Sequence, residues 1–205
     1  MYIPSFNKFD NEQEAISFMQ RYSFATIITS VDDVPYATHL PFLVQQRDDK
    51  IILSSHFAKA NPQAVQILDK RVLVIFTEPH AYISPSNYEK KTNVPTWNYL
   101  AVHAYGKAEL LEDVEQKANL LAHTINTYEP AYIHQYEKLP EEYKHKMMKG
   151  IVAFEITVND LQAKKKLSQN RSELERENII NTLSKSTDTT EKEIAEYMKA
   201  MKPTL

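Results

Sequence analysis

"VPTWNYLAVHAYG", Val94 to Gly106, contains the only tryptophan of the chain and one of its two glycines. Leu100, Val102 and Ala104 stand at even positions, and Trp97, Tyr99, His103 and Tyr105 at odd ones. A period of two predicts a β-strand, because successive strand side chains point to opposite faces whereas a helix repeats every 3.6 residues. The even face reads as core. The odd face, aromatic and polar, suits packing against a helix or holding something flat. Gly106 marks a place where the strand bends to relieve crowding.

The same period organises the sequence on either side. The quoted strand continues through "GKAELL", and four β-branched and aromatic runs precede it. These are "FATIITS" (Phe24–Ser30), "YATHLPFLV" (Tyr36–Val44), "KIILSS" (Lys50–Ser55) and "RVLVIFT" (Arg71–Thr77). Turn-forming "VDDVP" and "QQRDD" follow the first and second. Such short connections favour antiparallel hairpins, since parallel strands need crossovers of about a dozen residues. A sixth strand is predicted at Gly150–Lys164. Asp10 caps a helix through about Tyr22, with Ala15, Ile16, Phe18 and Met19 as its apolar stripe. Asn61 and Pro62 open a short helix, and Asp113–Glu129 forms a longer one that buries Val114, Ala118, Leu121 and Ile125. Ser172 with Glu175, and Thr190 with Glu193, form capping boxes for two C-terminal helices, Ser172–Ser184 and Thr189–Met201. Six strands, mostly meandering, with helices around them predict a small, mainly β antiparallel barrel.

Composition narrows the function. The 205 residues, 42% hydrophobic and 25% charged, describe one compact domain with appendages. Without cysteine there are no disulfides, no thiolate chemistry and no cysteine-bound zinc. Two glycines are too few for P-loop or dinucleotide-type phosphate loops. A formal net charge of −3 supplies no global basic field for nucleic acid, leaving only a local patch. "MYIPSFNKFD" lacks a basic and apolar leader, and no apolar run approaches the roughly 20 residues that cross a bilayer. The expectation is a cytoplasmic protein with no membrane contact.

Four stretches could carry chemistry. "LSSHFAKANPQ", Leu53 to Gln63, brings two hydroxyls, a histidine and a lysine to a helix N-terminus, the donors that a phosphate needs. The same residues also form an ordinary capped turn, which is the commoner use. In "PYATHLPFLV", Pro35 to Val44, the residues Tyr36, Leu40, Phe42 and Val44 share a core-like face. Ala37, His39 and Pro41 share the other, where small side chains let a ligand reach backbone amides. Its prolines equally fit an edge strand protected against aggregation. "EPHAYISPSNYEKKTNVPTWNY", Glu78 to Tyr99, is a long aromatic and basic excursion suited to stacking, to self-packing or to a dimer contact. "AKKKLSQNRS", Ala163 to Ser172, follows a run of cations with directional donors that could clamp a phosphate or a heterocycle edge, or simply form a solvated face. The seven histidines lack H-x-x-x-H or H-E-x-x-H spacing, so no metal site is predicted. No serine lies in a nucleophile-elbow context.

Taken together, "HLPF", "SSHFAKANPQ", "AYISPSNYEKKTNVPTWNYLAVHAYG", "KGIVAFEI" and "KKKLSQNRSELER" resemble the PaiB-type transcriptional regulators. That family is also described as FMN-binding, within the flavin-binding split-barrel superfamily. The resemblance covers essentially the whole chain. It implies a six-stranded antiparallel split β-barrel (FMN-binding split barrel) over residues 1–165, with a C-terminal helical extension over 166–205 packed on it. It also implies a homodimer with two flavin sites at the subunit interface. Ser54, Ser55, His56 and Lys59 would hold the FMN phosphate, and the ring would lie along Ala37, Thr38, His39 and Leu40. Trp97 and Asn98 would approach from a second subunit, and Lys166, Ser168, Gln169, Asn170 and Arg171 would complete the pocket. One departure stands out. Pyridoxamine-phosphate oxidases of this fold carry an adjacent Arg-Lys pair at the phosphate turn, where this chain has Ala58-Lys59. One cation fewer predicts a weaker hold on FMN and a purified sample that can be partly or wholly empty.

Three functions follow from these readings. The resemblance implies a negative transcriptional regulator of sporulation and degradative-enzyme genes. Direct DNA contact has little support. The last helix, "TEKEIAEYMKAMK", balances Glu191, Glu193 and Glu196 against Lys192, Lys199 and Lys202, whereas a major-groove reader carries a cationic surplus. The alternative is an FMN-dependent oxidoreductase of the pyridoxamine-phosphate oxidase-like fold, with His39 or His103 as acid–base candidates. A haem-degrading relative of that fold needs a C-terminal histidine, and none follows His145 here. The third is an interaction dimer that has lost its cofactor.

Overall fold

The computed structural model describes residues 1–68 and 70–201. Strand β1 (Phe24–Val31) turns back into β2 (Val34–Pro41), and β3 (Leu43–Arg47) into β4 (Lys50–Ala58). Three longer strands follow, β5 (Arg71–Ile83), β6 (Thr96–Leu110) and β7 (Ile151–Lys166). The seven form one sheet in the order β2-β1-β5-β6-β7-β4-β3. Its β1–β2, β1–β5, β3–β4 and β4–β7 ladders are antiparallel.

The expected six-stranded split barrel is therefore corrected to a seven-stranded sheet with two edges. The predicted strand Tyr36–Val44 breaks at Phe42. Residues before the break pair with β1, and residues after it pair with β4. Pro41 still pairs with Phe24, and the Phe42 amide donates to the Ser23 carbonyl at 2.9 Å, after which the chain passes to β4. The break also divides the predicted core face: Phe42 and Val44 are buried, Leu40 is half-buried, and Tyr36 is 41% exposed near the hairpin tip.

Both two-residue hairpin loops, Asp32-Asp33 and Asp48-Asp49, have positive φ throughout, at 50°, 62°, 49° and 58°. Two-residue hairpins need that left-handed geometry to match strand twist, and aspartate tolerates it through local hydrogen bonding. In a chain with only two glycines, aspartates take the role. Strand β5 runs on to Ile83, well past its predicted end. The long excursion shrinks to residues 84–95, which begin with a 3-10 turn at Pro85–Asn87 capped by Ser84.

Helix α1 (Glu12–Arg21) buries the predicted stripe of Ala15, Ile16, Phe18 and Met19. Its cap is Asn11, one residue later than expected; the Asn11 Oδ1 accepts from the Glu14 N–H at 2.8 Å. Asp10 is drawn instead to Lys165 Nζ, also at 2.8 Å. Helix α2 is short, Gln63–Gln66. Helix α3 (Val114–Tyr128) buries Leu120, leaving Ala118, Leu121 and Ile125 half-buried and Val114 53% exposed. The predicted stripe is thus displaced around the helix. Two unpredicted helices follow, α4 (Ile133–Glu137) and α5 (Glu141–Met148). Ser172 caps α6 (Glu173–Ser184) as expected. Helix α7 (Thr189–Ala200) is capped by Asp188 rather than Thr190, because its carboxylate accepts from both the Thr190 N–H and hydroxyl. Lys202 and the residues after it in the predicted extension lie outside the described residues. No helix among the described residues is long and apolar enough to cross a membrane.

The chain divides into two compact units. One comprises Met1–Ala15, Thr77–Val102 and residues from Gln162 onward; the other comprises Ile16–Phe76 and His103–Leu161. In the second unit, Phe57 and Phe154 stack at 4.9 Å, and Phe42 meets Phe76 and Phe154 edge-on at 5.9 and 6.2 Å. These four rings are fully buried, the desolvated aromatic burial that dominates a core of this size. In the first, Ile83, Leu100, Leu167, Ile179 and Ile194 are buried. Along β6 the even face, Leu100, Val102 and Ala104, is solvent-free as its period predicted, while Tyr99, His103 and Tyr105 are half-buried.

Candidate functional site: the outer edge of β2

Strand β2 is an edge, so half of its backbone groups have no neighbouring strand. Val31 and Val34 close the two-residue hairpin. From there, hydrogen-bonded and non-bonded pairs alternate, so Tyr36, Thr38 and Leu40 bond β1 while Pro35, Ala37, His39 and Pro41 point their backbone groups away. Both prolines occupy outward positions, where no N–H is missed. Ala37 and His39 supply the remaining outward amides, and both are exposed. A flat heterocycle with ring acceptors and donors could lie along this edge.

A set of polar side chains fixes that edge against the end of β4. Ser55 Oγ donates to the outward Pro41 carbonyl at 2.7 Å. Asn61 Nδ2 donates to Thr38 Oγ1 at 3.0 Å. Thr38 Oγ1 in turn donates to Gln63 Oε1, and Gln63 Nε2 reaches the carbonyls of Ile27 and Tyr36 and the Thr29 hydroxyl. Gln63 was not foreseen. Its only trace in the sequence is a polar residue opening a helix, which is unremarkable in itself.

The structure brings some predicted phosphate donors together and separates others. Ser55 reaches the β2 edge through the Pro41 carbonyl, on the strand face it shares with the buried Leu53 and Phe57. Ser54 and His56 point to the opposite face, as strand alternation requires. There Ser54 donates to Glu155 Oε1 at 3.0 Å, beside an Arg47–Glu155 ion pair at 2.6 Å. Lys59 is exposed, its backbone N–H held by the Gly150 carbonyl at 2.8 Å. The expected helix N-terminus offers little. Helix α2 has a single turn, and Asn61 already accepts from the Gln63 and Ala64 N–H groups.

The other predicted residues lie in the first unit, where they brace the start of β6. Lys166 Nζ donates to the Trp97 carbonyl at 2.8 Å and to the Thr96 hydroxyl. Ser168 Oγ donates to Asn98 Oδ1 at 3.0 Å, and Asn98 Nδ2 lies 3.5 Å from Met198 Sδ in a solvent-free setting. Gln169 closes on its own backbone, accepting from the Leu167 N–H and donating to the Lys165 carbonyl. Arg171 stacks 3.8 Å above the Tyr88 ring and donates to Asn93 Oδ1 at 3.0 Å. Asn170 is exposed. Trp97 is 51% exposed, with the His80 and Tyr82 rings each 5.8 Å away.

Burial holds both His56 and His103 below the ordinary 6.5. Desolvation disfavours the charged form, so in acid the unfolded chain binds these protons first. Stability should therefore be full above about pH 6.5 and fall as the pH drops through the lowered values. Thermal melts across pH 7.5 to 5 should show a decline that the double variant His56→Gln, His103→Gln flattens. An equal slope in both proteins would refute this assignment.

A family model described as "Putative FMN-binding domain" matches residues 1–160. The Bacillus subtilis protein named "Protease synthase and sporulation protein PAI 2" is 42% identical over 202 residues, covering 97% of each chain. Among solved structures, the flavocytochrome Anf3 of Azotobacter vinelandii superposes with a TM-score of 0.63 at 15% identity, over 80% of this chain and 72% of its own. The FAD and heme binding protein of Mycobacterium smegmatis gives 0.60 at 13% identity, over 78% and 73%. At such identities the likeness carries the fold alone.

Proposed function

The chain belongs to the family of FMN-binding domains, and from that premise we propose that it holds FMN along the outer edge of β2. The observation that carries this reading is the pair of outward, exposed backbone positions at Ala37 and His39 on a braced edge strand. The small Ala37 side chain leaves the backbone open to a flat ring. Thr38 and Leu40 anchor the strand, and Ser55 holds the Pro41 carbonyl beside it. The phosphate lies toward the turn from His56 to Lys59, with Lys59 as its cation. Ser54, facing the Glu155 side, plays no part.

Bound FMN would supply hydride or single-electron transfer. The protein's own residues orient the ring through backbone amides and compensate the phosphate charge. In a homodimer, Trp97 is an exposed aromatic available to a flavin on the second copy. Asn98, Lys166 and Ser168 act indirectly, by holding the segment that carries Trp97, and Arg171 ties Asn93 just before it. On this reading residues 1–165 form the flavin domain and residues 166–205 its C-terminal extension.

A regulatory role in sporulation and degradative-enzyme expression is proposed from the name of the 42% identical relative. Along α7, Glu191, Glu193 and Glu196 outnumber Lys192 and Lys199, so regulation proceeds without this helix entering the major groove.

Titrating FMN against the purified protein, by quenching of flavin fluorescence, tests the reading. Saturable uptake is expected, and Lys59→Ala should weaken it about tenfold, as loss of one charge-assisted phosphate contact does. Unchanged affinity in that variant would overturn the phosphate placement alone. No uptake by the native chain would overturn the whole reading. NAD(P)H-dependent flavin turnover without any effect on promoter DNA would replace regulation with an oxidoreductase.

A further inference from the structure

The second unit holds a cleft of about 230 Å³ between α3 and strands β3, β4 and β7. Leu43, Ser54 and Glu155 stand side by side across the three strands, and Gln45 and Arg47 continue the same face of β3. Opposite them, Gln116, Asn119, Leu120 and His123 follow the spacing of one face of α3. Leu43 and Leu120 are buried and, with the half-buried Leu111, give the cleft an apolar floor. The titratable groups lining it are Arg47, Glu155 and His123. His123 is joined through Nδ1 to Gln45 at 3.3 Å. Arg47 and Glu155 pair at 2.6 Å, and the nearly solvent-free Ser54 holds the other carboxylate oxygen at 3.0 Å.

The pair is fixed but not exhausted. A guanidinium has five N–H donors and a carboxylate about four lone-pair sites, and these two side chains engage only each other and Ser54 among the described residues. Both reach solvent, at 49% and 27% exposure. We propose that this cleft binds a free α-amino acid with an aliphatic side chain. Its carboxylate accepts from the open Arg47 N–H groups, its ammonium donates to Glu155, and its tail lies on Leu43, Leu111 and Leu120. The occupant carries both charges because the cleft does. A lone anion would meet Glu155 and a lone cation Arg47, whereas a zwitterion closes a ring of alternating charge. It is small, because the cleft lies below the roughly 300–1,000 Å³ of sites for drug-sized ligands. The proposal does not rest on the flavin reading, which assigns no role to Arg47, Ser54 or Glu155.

Leucine titrated into the full-length ¹⁵N-labelled protein should shift the side-chain amide signals of Gln116 and Asn119 saturably, with a dissociation constant of about 1 mM or below. Three analogues each delete one feature: isocaproate the ammonium, isoamylamine the carboxylate and glycine the tail. Each should bind at least tenfold more weakly than leucine. Arg47→Met, at an exposed side chain, should weaken leucine at least tenfold without weakening isoamylamine. Glu155→Gln, which keeps an acceptor for Ser54, should weaken leucine at least tenfold without weakening isocaproate. No saturable shift with leucine, equal affinity for leucine and any one analogue, or undiminished leucine binding in Arg47→Met would each overturn the proposal. The analogue series uses the native protein, so it decides the matter even where a variant fails to fold.

Discussion

Gly106→Ala should cost about 3 kcal/mol of stability and lower the thermal midpoint by roughly 6–12 °C. A Cβ at this position would lie 2.3 Å from the Thr157 carbonyl oxygen and 2.6 Å from Ile156 Cγ2. Both distances are far inside van der Waals contact. The nearer atom belongs to the backbone, so no rotamer change can relieve the clash. Strand β7 cannot simply retreat either, because Thr157 is paired with Ile52 of β4 on its other side. One added methyl must therefore disturb two ladders at once. Thermal unfolding followed by circular dichroism provides the measurement. A midpoint within a degree of the native protein would mean that β6 and β7 do not approach this closely.

Gln63→Leu has the second largest expected effect, and it tests the proposed site as well as the fold. The Gln63 side chain is 2% exposed, and its amide nitrogen lies 3.3 Å from the Ile27 carbonyl, 3.1 Å from Thr29 Oγ1 and 3.1 Å from the Tyr36 carbonyl. Leucine has similar volume and none of this hydrogen-bonding capacity. Thr38 keeps Asn61, and Thr29 keeps Gln66, but the shared amide between β1 and β2 is lost. Removing a buried hub of this kind should cost about 2–3 kcal/mol. Flavin affinity should fall with it, because the outer edge of β2 is held through Thr38. Lys59→Ala should instead lower affinity with no change in melting temperature. A Gln63→Leu protein that melts normally and binds FMN normally would remove this network from both roles.

Much of this molecule was legible in local patterns. The strands around Phe24–Ser30, Lys50–Ser55 and Arg71–Thr77, the dry even face of β6 and the stripe of α1 all follow from periodicity. Periodicity works because a side chain's direction is set by the backbone geometry of its own few residues. The motifs behind the family assignment were legible for a related reason, being unbroken strings of residues.

What only the tertiary structure decided is which groups meet. The break at Phe42 depends on β1 and β4 each claiming half of one extended run. Ser54 and Ser55 are adjacent in the chain, yet one hydroxyl turns to Glu155 and the other to the Pro41 carbonyl. The donor-rich "KLSQNR" stretch reads equally as a ligand clamp or a solvated face, and its partners Trp97, Asn98, Tyr88 and Asn93 come from distant parts of the chain. The physical reason is common to all three. A strand's direction is a local property, but a hydrogen-bonding group is satisfied by whatever partner the fold brings alongside, often from a hundred residues away.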